Sequence, residues 1–192
     1  LKYGIRTGWK EVGITNERLE SFAEHIYGCI ILAIGLNSEA KLDLDMFKVI
    51  KIIIAKELEK IDLGQEVTPV TKSFNKEGTL KNCAIIEEIT SGMLIKEEFI
   101  SLIEEFATQQ SKEAKFCSQI LKIESDLQAK DYELRGEFSL ENAKADVQNF
   151  GEPLASEILP QVQKPSDGWI LYDRQYYTDE LFVNLSNEIQ KL

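Results

Sequence analysis

One histidine and a short charged block are the residues of this chain best suited to chemistry. His25 is the only histidine among 192 residues and lies within an apolar helical pattern. Lys56, Glu57 and Lys60 follow three isoleucines at the end of a second such pattern. Imidazole and carboxylate groups bind divalent metals or transfer protons, whereas lysine ammonium groups attract anions. The block is therefore either part of a pocket or a solvated helix end, on which Glu57 and Lys60 would form a weak ion pair three residues apart.

Composition and charge limit the class of protein. A chain of this length with 43% hydrophobic residues can bury a core of its own as one domain. The net charge of −11 would repel a phosphate backbone, which excludes a general nucleic-acid surface but leaves small anionic ligands open. No run of apolar residues reaches the roughly 18 needed to span a bilayer, so no membrane partner is expected. Because the chain starts at Leu1, we expect the natural start, with any signal, to lie upstream.

The cysteines indicate a reducing compartment. Cys29, Cys83 and Cys117 are odd in number, lie among apolar residues and form no CxxC motif. Such cysteines are typical of buried, reduced thiols in a cytoplasmic protein. The expected location is therefore the cytoplasm.

Apolar residues recur at three- and four-residue steps along most of the chain, which predicts an all-α fold. Helices are predicted over 17–36, 44–62, 79–90, 95–108 and 111–133, with Asp43, Thr79 and Ser111 as caps. A loop is predicted over 63–78. Short helices over 140–150 and 154–162 and a last helix over 181–192 follow, with a loop or short extended piece at 168–177. The expected organisation is a helical domain over 1–165 and an aromatic-rich extension, 166–192, packing on it.

Three segments of the sequence resemble the HD-domain metal-dependent phosphohydrolases, close to their 5′-deoxynucleotidase branch. They are RTGW at 6–9 with LESFAEHIYGCIILA at 19–33, MFKVIKIIIAKELEKIDLGQ at 46–65, and EEFATQQSKEAKFCSQILKIESDLQAKDYE at 104–133. The resemblance covers roughly 1–135. It implies an HD-domain-like bundle of roughly six to eight helices.

In that family a histidine, a His-Asp pair on the next helix and a distant aspartate hold a divalent metal such as manganese, cobalt or magnesium. The resemblance places the first histidine at His25, the pair at Lys56-Glu57 and the distant aspartate at Leu121. An acid one turn after the pair falls on Lys60, and the aspartate of a Gly-Asp turn falls on Gln65. The family's substrate-phosphate arginine and neighbouring tryptophan match Arg6 and Trp9.

These substitutions predict a former active-site pocket without metal chemistry. Leu121 offers no ligand atom, and Lys56 puts a cation where an imidazole would meet the metal. We therefore expect no bound cofactor and assign no catalytic residue, with His25 and Glu57 as vestigial ligands. Lys56 is expected to pair with Glu57 and to hydrogen-bond toward His25. The alternatives are that His25 still binds a metal, or is a core residue bonded to a neighbour; Arg6 and Trp9 are either ligand contacts or an ordinary cation and a core aromatic.

Three functions remain open from the sequence. The first is an HD-domain homologue that has lost catalysis and binds a nucleotide or another phosphorylated small molecule, or serves as a scaffold. The second is a residual or altered 5′-deoxynucleotidase acting on deoxynucleoside 5′-monophosphates. The third is a purely structural homodimer. A homodimer is the expected assembly, because the resembled fold associates through its helices.

Overall fold

The computed structural model describes residues 2–14, 18–58, 60 and 76–192, with the backbone alone for 76–82. Ten α-helices and one 3₁₀ helix, Leu159–Gln161, make up nearly all of its regular structure. The α-helices are α1 Gly8–Glu11, α2 Phe22–Glu39, α3 Met46–Leu58, α4 Lys76–Ile89, α5 Lys96–Thr108, α6 Lys112–Leu134, α7 Leu140–Gln148, α8 Leu154–Ile158, α9 Asp167–Arg174 and α10 Glu180–Lys191. Within the described residues the β-structure is one isolated bridge between Ile5 and Ser21. The all-α prediction is confirmed, with more helices than the six to eight expected.

The described residues form two compact units. The first takes its members from 1–5 and 20–121, and the second from 6–19 and 122–192. Helix α6 contributes its residues up to Leu121 to the first unit and the remainder to the second. The segment 166–192 belongs to the second unit together with 122–165. A domain boundary at residue 165 stays a prediction.

In the first unit, α3 packs against α2 and α5, and α4 packs against α5. Apolar side chains from these helices and from the start of α6 are almost completely buried: Ala33, Val49, Ile52, Ile53, Ile103, Phe106, Cys117 and Ile120. Burying one such large apolar side chain contributes about 1.5–3 kcal/mol. The spacing of these residues is the helical periodicity seen in the sequence.

Helix α2 begins later than predicted because Ser21 and Glu24 form a capping box. Ser21 Oγ accepts a hydrogen bond from the Glu24 amide at 3.2 Å, and Glu24 Oε2 accepts one from the Ser21 amide at 2.9 Å. The reciprocal bonds satisfy amide groups that a helix start leaves open. They fix the helix start at Phe22, five residues after the predicted one, and put His25 in the first turns.

Asp45, not Asp43, caps α3. The Lys48 amide donates to Asp45 Oδ1 at 3.1 Å, which is the N-cap geometry. Asp43 has a φ of 52° in the turn before it. Asp and Asn tolerate this left-handed conformation better than most residues, so Asp43 serves the turn. The cap prediction at Asp43 was wrong.

The next three helices agree with the sequence to different degrees. Helix α5 lies within one residue of its predicted span, and Ser111 caps α6 by accepting from the Ala114 amide at 3.0 Å. Helix α4 starts at Lys76, so Thr79 lies inside it and the predicted cap was wrong. The predicted loop at 63–78 lies outside the described residues up to residue 75, and its last three residues are helical.

In the second unit, α9 packs against α7, α8 and α10. The buried side chains include Trp9, Tyr132, Val147, Ile170 and Phe182. Gly13 has a φ of +84°, and a Cβ there would lie 2.3 Å from Asn142 Nδ2. Only glycine fits both the left-handed backbone and this close approach.

Residues 168–177 were predicted as a loop or extended piece, and they are mostly helical. Helix α9 covers Asp167–Arg174, and Ile170 is fully buried on it. Glu133 Oε2 accepts from the amide and the hydroxyl of Ser166, just before the helix, at 2.8 and 2.6 Å. These bonds anchor the helix start from α6. The aromatic composition made the helical periodicity of this segment hard to recognise in the sequence. Tertiary packing stabilises the helix.

None of the helices in the described part of the chain is both long and apolar enough to cross a membrane.

Candidate functional site

His25 lies in the first unit between two carboxylates and a thiol. The side chain is 1% exposed. Its Nδ1 is 3.7 Å from Glu20 Oε1, and its Nε2 is 3.9 Å from Glu57 Oε1. Cys29 Sγ is 3.8 Å from both ring nitrogens. The imidazole is thus a buried group with two carboxylates and a thiol within 4 Å of its ring nitrogens.

Sequence reasoning missed two of these neighbours. Cys29 was assigned only as a buried thiol, and Glu20 was not assigned at all. The spacing of four residues between His25 and Cys29 puts both side chains on one face of α2, which is a signal the sequence contained. Glu20 precedes the cap of α2, and its position required the start of that helix to be known.

Glu57 is fully buried near the end of α3 and forms an ion pair with Lys60. Glu57 Oε1 lies 2.6 Å from Lys60 Nζ, while the Lys60 side chain is 26% exposed. The Lys60 amide also donates to the Glu57 carbonyl at 3.3 Å. Glu57 stands where the resemblance places the aspartate of the His-Asp pair. Its carboxylate therefore accepts a hydrogen bond from the Lys60 ammonium group.

Lys56 lies near the ring of Phe106 on α5. Its ammonium lies 5.7 Å from the centroid of the Phe106 ring. Burial lowers the pKa of Lys56 to about 7, repulsion from Lys60 adds to this, and attraction to Glu57 opposes it. Adjacent helical residues do not face each other. Glu57 forms an ion pair with Lys60, and the pairing of Lys56 with Glu57 and its hydrogen bond toward His25 stay predictions.

Of the other two predicted pocket positions in this part of the sequence, the structure describes Leu121 and does not describe Gln65. Leu121 is partly buried on α6 and belongs to the first unit. Its hydrocarbon side chain carries no donor or acceptor. Gln65 lies outside the described residues.

Arg6 and Trp9 lie together in the second unit. Arg6 Nη2 donates to Ser125 Oγ at 2.9 Å, Nη1 lies 3.9 Å from Glu124 Oε2, and the guanidinium lies 5.3 Å from the Trp9 ring centroid. The hydroxyl and the ring hold the guanidinium in one orientation.

Trp9 is a core aromatic by its surroundings. It is 1% exposed, its ring lies 5.3 Å from Tyr132 edge-to-face, and it lies 4.5 Å from Trp169. Trp169 belongs to the aromatic segment that was expected to pack as an extension. A ligand-contact role for Trp9 stays a prediction.

The family model described as "HD domain" matches residues 1–163. The chain belongs to the HD-domain family. The resemblance seen in three sequence segments is thereby confirmed, and it extends beyond residue 135 into the second unit's helices. The assignment of individual pocket residues stays a prediction.

Curated HD-domain relatives carry the name 5′-deoxynucleotidase HDDC2. The Mus musculus protein is 28% identical over 159 residues, covering 82% of this chain and 74% of its own length. The Homo sapiens protein is 26% identical over 159 residues, covering 82% and 72%. The Xenopus laevis protein is 29% identical over 152 residues, covering 78% and 70%. This HD-domain chain is similar to the 5′-deoxynucleotidase branch.

A solved structure supports the fold across the full chain. A conserved hypothetical protein from Pyrococcus furiosus has a TM-score of 0.60 and 21% identity, and the match covers 100% of this chain and 94% of the other. At this identity the likeness concerns the fold alone.

Proposed function

We propose that this HD-domain protein has lost metal-dependent phosphohydrolysis and retains its pocket for binding a nucleotide or another phosphorylated small molecule. In this proposal Arg6, Trp9, His25, Lys56, Glu57, Lys60, Gln65 and Leu121 are the positions of a former active site. No cofactor is required. His25 and Glu57 remain as vestiges of a ligand set.

The 2.6 Å contact between Lys60 Nζ and Glu57 Oε1 carries the proposal. A divalent ion binds through several converging lone pairs and is repelled by nearby cations. Here the buried carboxylate already faces an ammonium group, and Lys56 is the neighbouring residue. The residues of the first unit do not fit a divalent metal held by His25, Glu57 and the position of Leu121. We therefore derive no step through a metal.

Cationic side chains among the proposed pocket positions suit an anionic ligand. Lys56 and Lys60 lie on either side of Glu57 in the sequence, and with Glu59 the block 56–60 holds two lysines and two glutamates. In the second unit, Ser125 and Trp9 orient the Arg6 guanidinium, whose side chain is 15% exposed. Guanidinium groups bind phosphate oxygens through two parallel hydrogen bonds. A phosphorylated ligand matches the chemistry of these residues.

A second candidate is residual or altered 5′-deoxynucleotidase activity. The relatives bear that name, and His25 lies within 3.9 Å of Glu57 and 3.7 Å of Glu20. A buried imidazole between carboxylates can hold a proton near a substrate. This candidate requires chemistry different from that of the family's metal-bound water.

Two assays distinguish the candidates. Phosphate release from deoxynucleoside 5′-monophosphates, with manganese, cobalt or magnesium added in turn, tests turnover. We expect none above a buffer blank. Clear turnover that disappears in His25→Ala, with the variant folded by circular dichroism, would overturn the loss of catalysis.

Ligand retention has its own readout. A thermal-shift screen with deoxynucleotides and inorganic phosphate measures binding, since a ligand of the native state raises its apparent stability. We expect at least one phosphorylated compound to raise the melting temperature in the wild type and not in Arg6→Lys, which keeps the charge but loses the fork. No shift with any compound would favour a purely structural protein.

The expected homodimer and cytoplasmic location complete the proposal. The three cysteines of the chain are free, and Cys29 and Cys117 are buried, which suits a reducing compartment. Light scattering after size exclusion measures the mass in solution, and the proposal expects twice the mass of one chain.

A further inference from the structure

The second unit contains two buried carboxyl groups, Asp126 on α6 and Asp173 on α9. Asp126 is 0% exposed and Asp173 is 5% exposed. A buried carboxylate is costly unless cations or several hydrogen-bond donors compensate its charge. The two groups differ in the compensation they receive.

Asp173 has a direct cation partner. Its Oδ1 lies 2.6 Å from Lys122 Nζ, and the same ammonium lies 4.3 Å from the Tyr176 ring centroid. Burial raises the pKa of Asp173, while Lys122 and Arg6 oppose that rise. The ion pair keeps the negative charge on this member of the pair.

Asp126 has a weaker set of neighbours. The Tyr177 hydroxyl donates to its Oδ2 at 2.7 Å. Its Oδ1 is buried and has no hydrogen-bond partner among the described residues. An ionised carboxylate needs hydrogen-bond donors at both oxygens, and the Tyr177 hydroxyl supplies a donor to only one of them. The geometry therefore favours the neutral acid at this position.

The charges around Asp126 act in both directions. Burial raises the pKa of Asp126 well above its usual value, and the charge of Asp173 adds to this. The Tyr177 hydrogen bond, Lys122 and Arg174 act in the opposite direction. The Arg174 guanidinium is itself engaged on α10, where it donates to the Ser186 hydroxyl and to Gln190 Oε1 at 3.1 and 2.7 Å.

We propose that Asp126 is a neutral carboxylic acid in the folded protein and that the absence of a charge on it keeps the turn after α9 attached to α6. The link passes through Tyr177, whose ring stacks on Phe182 of α10 at 6.1 Å. Loss of the proton would put a second negative charge beside Asp173 in a dry environment. The end of α9 and the start of α10 would then separate more easily from α6, which makes this contact a pH-sensitive latch.

The sign of the effect follows from proton linkage. A carboxyl group whose folded-state pKa lies above its unfolded value binds more protons in the native state between the two values. Its contribution to stability is complete below the unfolded pKa and is lost as pH rises through the folded one. Across that window the folding equilibrium constant falls up to about tenfold per pH unit.

Urea denaturation of the wild type and Asp126→Asn at several pH values tests the latch. Asparagine keeps the size of the side chain and cannot ionise. We expect the stability difference between variant and wild type to shift toward the variant as pH rises from about 5 to about 9, in the direction that linkage requires. Asp131→Asn, at an acid on the same helix whose side chain is 41% exposed, is the matched control and should leave the profile unchanged. A pH-independent difference between Asp126→Asn and the wild type would overturn the proposal.

A measurement on the wild type keeps the test independent of the variant's folding. The ¹³C shift of the Asp126 carboxyl, in protein labelled at aspartate, reports its ionisation directly. We expect the neutral form near pH 7, and hydrogen exchange of residues 167–182, corrected for intrinsic rates, to quicken as that form disappears. An ionised Asp126 at pH 7 would contradict the latch. Hydrogen exchange of residues 167–182 that does not change as Asp126 titrates would also contradict it.

Discussion

Lys60 Nζ and Glu57 Oε1 are 2.6 Å apart, and the glutamate is fully buried while the lysine reaches solvent. This ion pair connects the end of α3 to Lys60, two residues beyond the helix. It places a cation beside Glu57, which is the carboxylate at the two positions that the family resemblance assigns to the His-Asp pair.

We expect Lys60→Met to lower the free energy of unfolding by about 1–3 kcal/mol, because a buried carboxylate loses its ion-pair partner. Glu57→Gln combined with Lys60→Met should recover most of the loss. Urea denaturation of the single and double variants gives the coupling energy.

The chain offers a matched control for this cycle. Lys191 and Glu188 have the same spacing and the same 2.6 Å distance, but their side chains are 68% and 69% exposed. Exposed pairs typically contribute about 0–1 kcal/mol. A Lys60–Glu57 coupling no larger than that of the exposed pair would show that burial does not strengthen the contact.

Trp9 should behave as a core residue. Removing its ring in Trp9→Ala opens a cavity between Tyr132 and Trp169 and should cost about 3–5 kcal/mol. Trp9→Phe should cost less, since it keeps an aromatic contact. Thermal and urea unfolding measure both. Tyr176→Ala, at an aromatic side chain 49% exposed, is the control and should have a small effect; equal effects at the two sites would contradict the core assignment.

We expect Asp146 to give the stability of the protein a second pH dependence. Burial raises the pKa of Asp146 to about 6, with added repulsion from Glu11. Its contribution to stability is therefore complete below an unfolded pKa of about 4 and is lost as pH rises to about 6. At neutral pH, Asp146→Asn should stabilise the protein by roughly 1 kcal/mol after allowance for solvent screening.

The measurement for Asp146 is the melting temperature of wild type and variant across that window. The variant should gain its advantage between about pH 4 and pH 6 and keep it above. Glu11→Gln should reproduce a small part of the gain. An advantage that is present at pH 4 and does not grow would exclude the titration of Asp146 as its cause.

Restoring the family's ligands should restore metal binding. The variant carrying Lys56→His, Glu57→Asp, Lys60→Glu and Leu121→Asp removes two cations and supplies the side chains that the resemblance assigns to these positions. Titration calorimetry with manganese should show binding in this variant and none in the wild type. His25→Ala in the restored background should abolish it. Equal binding by wild type and restored variant would contradict the account of the substitutions.

The long helices could be predicted from the sequence because their apolar periods are uninterrupted. The span of α5 and the cap of α6 at Ser111 are the best examples. It failed where a short polar contact decides the structure. From the sequence Asp43 and Asp45 are equally plausible caps, and the left-handed turn at Asp43 and the hydrogen bond from the Lys48 amide to Asp45 separate them. Helix α9 depends on Glu133, more than thirty residues earlier, which binds the residue before its start.

The same limit applied to the candidate site. The Glu57–Lys60 pair follows from helical spacing, and the sequence suggested it as a weak pair on a solvated helix end. Burial of Glu57 depends on how α3 packs, so its strength could not be predicted. The pairing expected of Lys56 stays a prediction. Cys29 and Glu20 near His25 needed the observed start of α2.

Metal analysis of the purified protein tests the central claim most directly. Elemental mass spectrometry counts bound divalent ions, and unfolding with and without chelator shows whether any ion supports the fold. The account predicts far less than one ion per chain and the same melting temperature in both conditions. One tightly bound ion per chain, lost in Glu57→Gln and His25→Ala and required for stability, would contradict it.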